Sequence, residues 1–260
     1  MLVLLNRIIL TIFISAVSFS AFSEEMNTNY LKTDWSFKGI FGTFDRASLQ
    51  RGYQVYQEVC SGCHSVQHLS YRNLSEKGGP EFSDEEAKAI AAQFEVEDGP
   101  NSDGEMFMRA GRLSDTFVKP YPNVEASTAA NGGAYPPDMS VLTKARKGGA
   151  DYIYSVLMGY EEAPQGFELE EGVYYNKYMD GNKIKMANPL SDDLITYADG
   201  TSSTVSQMSK DVTTFLTWAA EPHLESRHKM GLKVIIYLII FTVLIYLSMK
   251  RLWSRIDSKK

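Results

Sequence analysis

The sequence predicts a mainly α-helical domain threaded with long loops, followed by a single C-terminal membrane-spanning helix. Three observations carry this reading. Apolar residues recur at helical spacing in several short stretches, most clearly between Thr204 and Ala220, where Val205, Met208, Val212, Phe215, Leu216 and Ala219 share a face and Pro222 follows. The stretches between are rich in turn signals, among them Lys119-Pro120-Tyr121-Pro122, Asn131-Gly132-Gly133, Pro136-Pro137 and Asp199-Gly200, and few segments alternate strictly enough for strands. Residues 231–249 are apolar except for Lys233, and nineteen residues at ~1.5 Å rise cover roughly 28 Å, enough to cross a hydrocarbon core.

The other helices are shorter. Residues 48–60 carry Leu49, Tyr53, Val55 and Tyr56 on one side, which predicts a helix. Ser83-Asp84-Glu85-Glu86 is a capping box and opens a helix expected to run through Phe94, before Asp98-Gly99-Pro100. Residues 151–158 form another, ended by Gly159.

The chain divides into four parts. Residues 1–23 read as a secretory signal peptide: Arg7 precedes an apolar run, and Ala21-Phe22-Ser23 supplies the small residues of a cleavage site. Residues 24–229 are one exported domain, residues 230–249 an anchor, and residues 250–260 a tail whose Lys250, Arg251, Arg255, Lys259 and Lys260 mark the cytoplasmic side. This places the domain in the periplasm, on a single-pass protein of a bacterial inner membrane. Between 24 and 229 there are 31 acidic and 19 basic residues, a formal charge of −12. Such a surface argues against nucleic acid and for a basic partner, whose approach it would steer.

The chemistry concentrates in Val59-Cys60-Ser61-Gly62-Cys63-His64-Ser65. Cys60 and Cys63 are the only cysteines, and C-x-x-C-H is the attachment pattern of a c-type haem. Two thiols one helical turn apart can each add to one vinyl group of the haem edge, and the next side chain can supply the proximal imidazole, His64. A zinc site would need a second ligand pair, which His68, His223 and His228 do not provide. A redox dithiol would sit near a βαβ pattern, and none is found. Covalent attachment outside the cytoplasm suits an exported chain with no cysteine to spare.

The sixth iron ligand separates an electron carrier from an open-site haem enzyme or gas sensor. Of eleven methionines, Met158 and Met208 lie on helix faces and read as core. Met186 lies in the loop Ile184-Lys185-Met186-Ala187-Asn188-Pro189, where a nearby proline can hold a sulfur rigidly, and Met139 beside Pro136-Pro137 is its rival.

The chain resembles the cytochrome c1 family, the haem-bearing subunits of the cytochrome bc1 complex (complex III), along almost the whole of the mature part. The matching residues include Arg51-Gly52-Tyr53-Gln54-Val55-Tyr56 before the haem motif, Tyr71-Arg72-Asn73-Leu74, Asn131-Gly132-Gly133-Ala134-Tyr135-Pro136-Pro137-Asp138 and Ala145-Arg146-Lys147-Gly148-Gly149-Ala150-Asp151-Tyr152. Met208-Ser209-Lys210-Asp211-Val212, Trp218-Ala219-Ala220-Glu221-Pro222 and Lys229-Met230-Gly231-Leu232-Lys233 follow. The resemblance implies a cytochrome c-type haem domain with long loop insertions, one covalent haem c on Cys60 and Cys63, and axial ligands His64 and Met186. It further implies Arg146 at a haem propionate, with Asn131, Pro137 and Tyr152 lining the pocket. The family often has Met-Ala-Pro-Pro at the ligand, and here Asn188 stands in place of the first proline. The implied role is that of an electron carrier, not itself catalytic, within a quinol-oxidising complex. Its partners would be cytochrome b, the Rieske iron–sulfur protein and a soluble or tethered c-type cytochrome. A membrane-tethered cytochrome c working alone is the alternative within the same class.

Overall fold

The computed structural model describes residues 29–257; the expected leader at 1–23 and the last three residues of the tail lie outside the described residues. Helix α1 (Arg46–Val55) opens on Asp45, whose carboxylate accepts from the Ala47 amide at 3.2 Å, and it buries Leu49, Gly52, Tyr53 and Val55. That face lies on α6 (Val205–Ala220), which begins at Thr204 as its capping hydroxyl accepts from the Gln207 amide. The two helices touch backbone to backbone. A Cβ on Gly52 would stand 2.1 Å from the Asp211 carbonyl and 2.8 Å from Phe215 Cβ, so only glycine fits.

One buried carboxylate fixes the register of this crossing. Asp211 accepts from Ser48 Oγ at 2.5 Å, Arg51 Nε at 2.8 Å and Nη2 at 3.1 Å, and Gln207 Nε2 at 2.9 Å. Side-chain hydrogen bonding to Asp211 raises the Arg51 guanidinium above its ordinary value against the opposing effect of burial, with Asp199 adding a second bond. Such a pair adds little net stability, since both charges lose water, but a slipped helix would leave the carboxylate buried and unpaired. Around it the core is aromatic: Tyr53, Tyr56, Tyr71, Phe117, Phe215 and Trp218 form a chain of ring contacts, the closest being Tyr71 on Phe117 with centroids 4.9 Å apart.

Smaller elements surround this pair. Helix α2 (Asp84–Ala91) carries the full capping box, with Ser83 Oγ accepting from the Glu86 amide and Glu86 accepting from the Ser83 amide. It ends three residues earlier than the pattern suggests. The chain turns there into an antiparallel hairpin, β1 (Glu95–Asp98) with β2 (Phe107–Ala110). The Gly111 amide donates to the Phe94 carbonyl at 2.9 Å, and a Cβ on Gly111 would stand 2.5 Å from the Ala91 carbonyl, so the hairpin closes over the helix end. Helix α3 (Val124–Ala130), capped by Asn123, is also absent from the sequence reading, as is the two-residue ladder of β3 (Tyr174–Tyr175) and β4 (Lys183–Ile184). Helices α4 (Leu142–Ala145) and α5 (Ala150–Met158) pack on α6, and α5 stops at Gly159 as its sequence suggests.

Helix α7 (Leu224–Asp257) contains the expected membrane span but starts well before it, and its apolar stretch is exposed along its whole length. Its first turn is joined to the domain. Glu225 accepts from the Phe44 amide at 2.9 Å and from Arg46 Nη1 and Nη2 at 2.8 and 2.9 Å. Glu221, just after α6, accepts from Arg227 at 2.5 Å and pairs with Lys144.

Because the α1–α6 crossing has no room at Gly52, Gly52→Ala is expected to destabilise the domain by about 3 kcal/mol or more, the upper range of an overpacked core. Urea unfolding followed by far-ultraviolet circular dichroism measures it, and a loss below about 1 kcal/mol would show that the helices can part cheaply.

Candidate haem-binding site

The cysteine motif stands where α1 runs out into a π turn. Residues Tyr56–Cys60 take that form, with the Ser61 amide donating to the Tyr56 carbonyl at 2.8 Å and Ser61 Oγ donating to Gln57 O at 2.7 Å. The sequence pattern alone shows a continuous helix over this stretch. A wider turn changes the direction in which the following side chains leave the helix axis, and such bulges recur at functional sites. The amides of Cys63 and His64 then donate to the Cys60 carbonyl at 3.1 and 2.9 Å, closing a tight loop. Both thiols are free, Cys60 half-buried and Cys63 exposed. Burial pushes the Cys60 thiol up to about 12, which keeps it protonated.

His64 is prepared for a ligand on one nitrogen. Its Nδ1 lies 2.8 Å from the Pro137 carbonyl. A carbonyl only accepts, so Nδ1 carries the proton and the lone pair sits on Nε2. Burial lowers the imidazole pKa below its ordinary value, against the Pro137 bond and the Asp138 charge, so the ring is neutral at pH 7.

Pro137 is held in place by its neighbour. Asp138 accepts from Ser65 Oγ at 2.7 Å and from the amides of Gln67 and Ser140 at 3.1 and 2.9 Å. The Met139 amide donates to the Ser65 carbonyl at 2.8 Å, and the His68 amide to Ser140 Oγ at 3.1 Å. Loop 137–140 is therefore laced to the chain that follows the motif. Burial alone would raise the Asp138 carboxyl, but the bonds from Ser140, Ser65 and Gln67 outweigh it and hold the group below the ordinary carboxylate range.

The two candidate methionines differ sharply. Met139 is 6% exposed and belongs to the hydrophobic core. Met186 is half-buried in its loop, where Tyr160 Oη donates to its carbonyl at 3.0 Å. Asn188 Oδ1 accepts from the Leu190 amide at 3.3 Å, an Asx turn that stiffens the loop at the position of the missing proline.

The remaining sequence-derived residues are more loosely joined. Tyr152 packs edge-on against Tyr30 and its hydroxyl lies 3.4 Å from Met179 Sδ. Burial raises its phenol above the ordinary value while the nearby Arg146 opposes that. Arg146 is exposed, donates to the Ala145 carbonyl at 3.2 Å, and has no acidic partner among the described residues, so its charge is available to an anionic group. Asn131 caps α3 through its own Ser127 carbonyl at 2.8 Å, a bond that does not join it to His64. Among the described residues no three His, Cys, Asp or Glu side chains gather where they could hold a metal ion. Two thiols one turn apart beside a neutral imidazole with Nε2 free are the donor set that the edge and iron of a c-type haem need.

Residues 35–256 match the Cytochrome C1 family. The chain belongs to the cytochrome c1 family. It is 49% identical over 239 residues to cytochrome b/c1 of Bradyrhizobium diazoefficiens, which covers 85% of the chain and 35% of that protein, so the chain spans about a third of that relative's length. It is 48% identical over 226 residues to mitochondrial cytochrome c1-2 of Solanum tuberosum, covering 87% of the chain and 86% of that protein. With cytochrome c1 of Rhodospirillum rubrum it shares 44% over 254 residues, 92% of each chain. Cytochrome c1 proteins carry haem c as the haem-bearing subunit of the bc1 complex and serve respiratory electron transfer, and the apolar α7 fits a single-pass membrane anchor for this member.

Two residues of this cytochrome c1 site escaped sequence reasoning as contributors. Asp138 follows a proline pair and could have been read as a turn-forming Asx residue, but its three donors lie up to 73 positions away. Tyr160 carries no sequence signal at all.

Asp138→Ala is expected to destabilise the apo and haem-loaded domain by about 1–3 kcal/mol, nearer the lower figure because the group is partly solvated. The Asp138 carboxyl is held below its unfolded value, so its contribution is fully present above about pH 4 and fades as pH falls through the folded pKa. Urea midpoints measured from pH 7 down to pH 3 should show the gap between the two proteins closing on the acid side only.

Proposed function

We propose that this member of the cytochrome c1 family takes one electron from the Rieske iron–sulfur protein and delivers it to a soluble or tethered c-type cytochrome, beside cytochrome b in a quinol-oxidising complex whose coupling moves protons. The observation that carries this reading is the His64–Pro137 bond, which presents Nε2 of a neutral ring next to two free thiols. Bound haem c supplies a one-electron redox centre. The chain supplies the rest: Cys60 and Cys63 as thioether anchors, His64 and Met186 as axial ligands, and Arg146 at a propionate. Asn131, Pro137 and Tyr152 line the pocket, Pro137 through the carbonyl that fixes the His64 tautomer. The domain lies in the periplasm after removal of residues 1–23, held at a bacterial inner membrane by α7. With Met186 as the second iron ligand, the thioether would raise the potential and leave no open position for gases or peroxide, which is the carrier's chemistry.

Met186→Leu tests the ligand set. It keeps the bulk and apolar character of the side chain but cannot donate a lone pair. The potential should fall by a large fraction of the ~0.8 V that axial ligands can span, and a carbon monoxide response should appear. Met139→Leu should leave both properties nearly unchanged. The reverse result assigns the ligand to Met139.

The acceptor is tested by salt. With a domain of formal charge −12 over residues 24–229, electron transfer to a basic c-type cytochrome should slow steeply between low ionic strength and ~0.15 M, where the Debye length is ~8 Å. A flat profile in stopped-flow measurements would mean an acidic or tethered acceptor.

A further inference from the structure

The turn that precedes α1 wears its apolar residues on the outside. In Lys38-Gly39-Ile40-Phe41-Gly42 the Gly42 amide donates to the Gly39 carbonyl at 3.1 Å, and the Thr43 amide donates to Ser36 O at 3.0 Å. Ile40 and Phe41 hold the two central positions, which turns ordinarily give to Gly, Pro, Asn, Asp or Ser. They are 76% and 73% exposed, more than any large apolar side chain of the membrane helix, where Tyr237 reaches 63%.

The tip stands on a stiff support. A Cβ on Gly42 would lie 2.2 Å from the Phe37 carbonyl, so the turn closes only with glycine there. Behind it the buried rings of Trp35 and Phe37 stack with centroids 5.4 Å apart, and Phe44 leans on Phe37 at 5.1 Å with its ring tilted by 38°. Trp35 Nε1 donates to the buried Asp151 at 2.6 Å. An apolar pair displayed on a rigid turn has a surface to meet.

The anchor says which surface. Phe44, three residues after Phe41, donates its amide to Glu225 in the first turn of α7. Three extended residues reach ~10 Å, and the six residues from Glu225 to Gly231, where the apolar run begins, rise ~9 Å. The tip is thus within reach of the depth at which α7 leaves the headgroups for hydrocarbon. Charge agrees. Lys229 and Lys233 are exposed on α7, and Lys38, which also reaches Asp151, stands at the base of the turn. Cations beside apolar tips suit anionic headgroups above acyl chains.

We propose that Ile40 and Phe41 insert into the lipid interface of the membrane that α7 crosses, a second and shallow contact that fixes the tilt of the haem domain. Two side chains do not replace a span; they restrict rotation about it. The proposal is independent of the electron donor and acceptor and rests only on α7 as the anchor.

The test uses the haem-loaded full chain, in which Cys60 and Cys63 are the only native cysteines and are taken up by the haem. Phe41→Cys then provides one thiol for a nitroxide label, with Ile40→Cys as the second variant, Ile235→Cys as the membrane reference and Asp103→Cys on the β1–β2 hairpin as the aqueous one. In nanodiscs holding the isolated chain and a fraction of anionic lipid, power-saturation measurements compare collisions with oxygen and with a water-soluble nickel chelate. The oxygen-to-nickel ratio at 41 and at 40 should exceed that at 103 several-fold and lie nearer that at 235. A ratio at both tip positions equal to that at 103 overturns the proposal. So does shielding that appears only when cytochrome b is co-assembled, because protein would then cover the tip.

Discussion

The contact between α1 and α6 at Gly52 and Asp211 sets the position of everything functional in this chain. It brings two helix backbones together with no side chain between them, and a single buried carboxylate penalises any other register. One of these helices ends in the haem motif. The other ends in Glu221 and, after a short turn, in the membrane helix. The distance from haem to membrane is therefore carried by two rigid rods and one crossing, with no flexible linker between them. Arg46 on α1 and Glu225 on α7 close the same triangle from the other side.

What was legible in the sequence follows from how local its causes are. The attachment motif, the capping box at Ser83, the end of α5 at Gly159, the start of α6 at Thr204 and the apolar run of α7 are each set by residues within one or two turns. The two small hairpins were not legible. β1 and β2 are four residues each, partly exposed, with Glu and Asp among them, and they pair because Gly111 lets the return strand close on the end of α2. The π turn at Tyr56–Cys60 was hidden as well, since one extra residue in a helix leaves the apolar pattern before it intact. In the site, residue types named His64, Cys60 and Cys63. The lacing of loop 137–140 could not be read, because Asp138 meets Ser65 and Gln67 only in three dimensions.

Electrostatics divides the molecule along its length. Residues 24–229 carry a formal charge of −12, yet the segment around the start of α7 carries Lys38, Lys229 and Lys233. Several acidic groups at that end are engaged in internal bonds: Glu225 with Phe44 and Arg46, Glu221 with Arg227 and Lys144, Asp151 with Trp35 and two lysines. Their carboxyls are held below the ordinary range although burial alone would raise them. Charge committed to these internal bonds adds little to repulsion from anionic headgroups.

The two ligands proposed for the haem iron are held by unlike means, and the difference bears on the long segment between them. His64 is adjacent to its anchoring cysteines in the chain and needs only one carbonyl to fix its tautomer. Met186 lies 122 positions further on. Closing so long a loop is less costly than its length suggests, since the entropy grows with the logarithm of length and each doubling adds only ~0.6 kcal/mol. The larger cost is ordering the segment itself, and that is offset locally: α5 packs on α6, Asn176 Nδ2 donates to the Val156 carbonyl at 2.7 Å, and Tyr160 reaches from the end of α5 to the Met186 carbonyl. The Met186 backbone is thus held from just beyond the end of a helix that packs on α6. The acidic loop of residues 161–171 makes no part of the Tyr160–Met186 bond, and loops of this kind are where variation in length and charge concentrates.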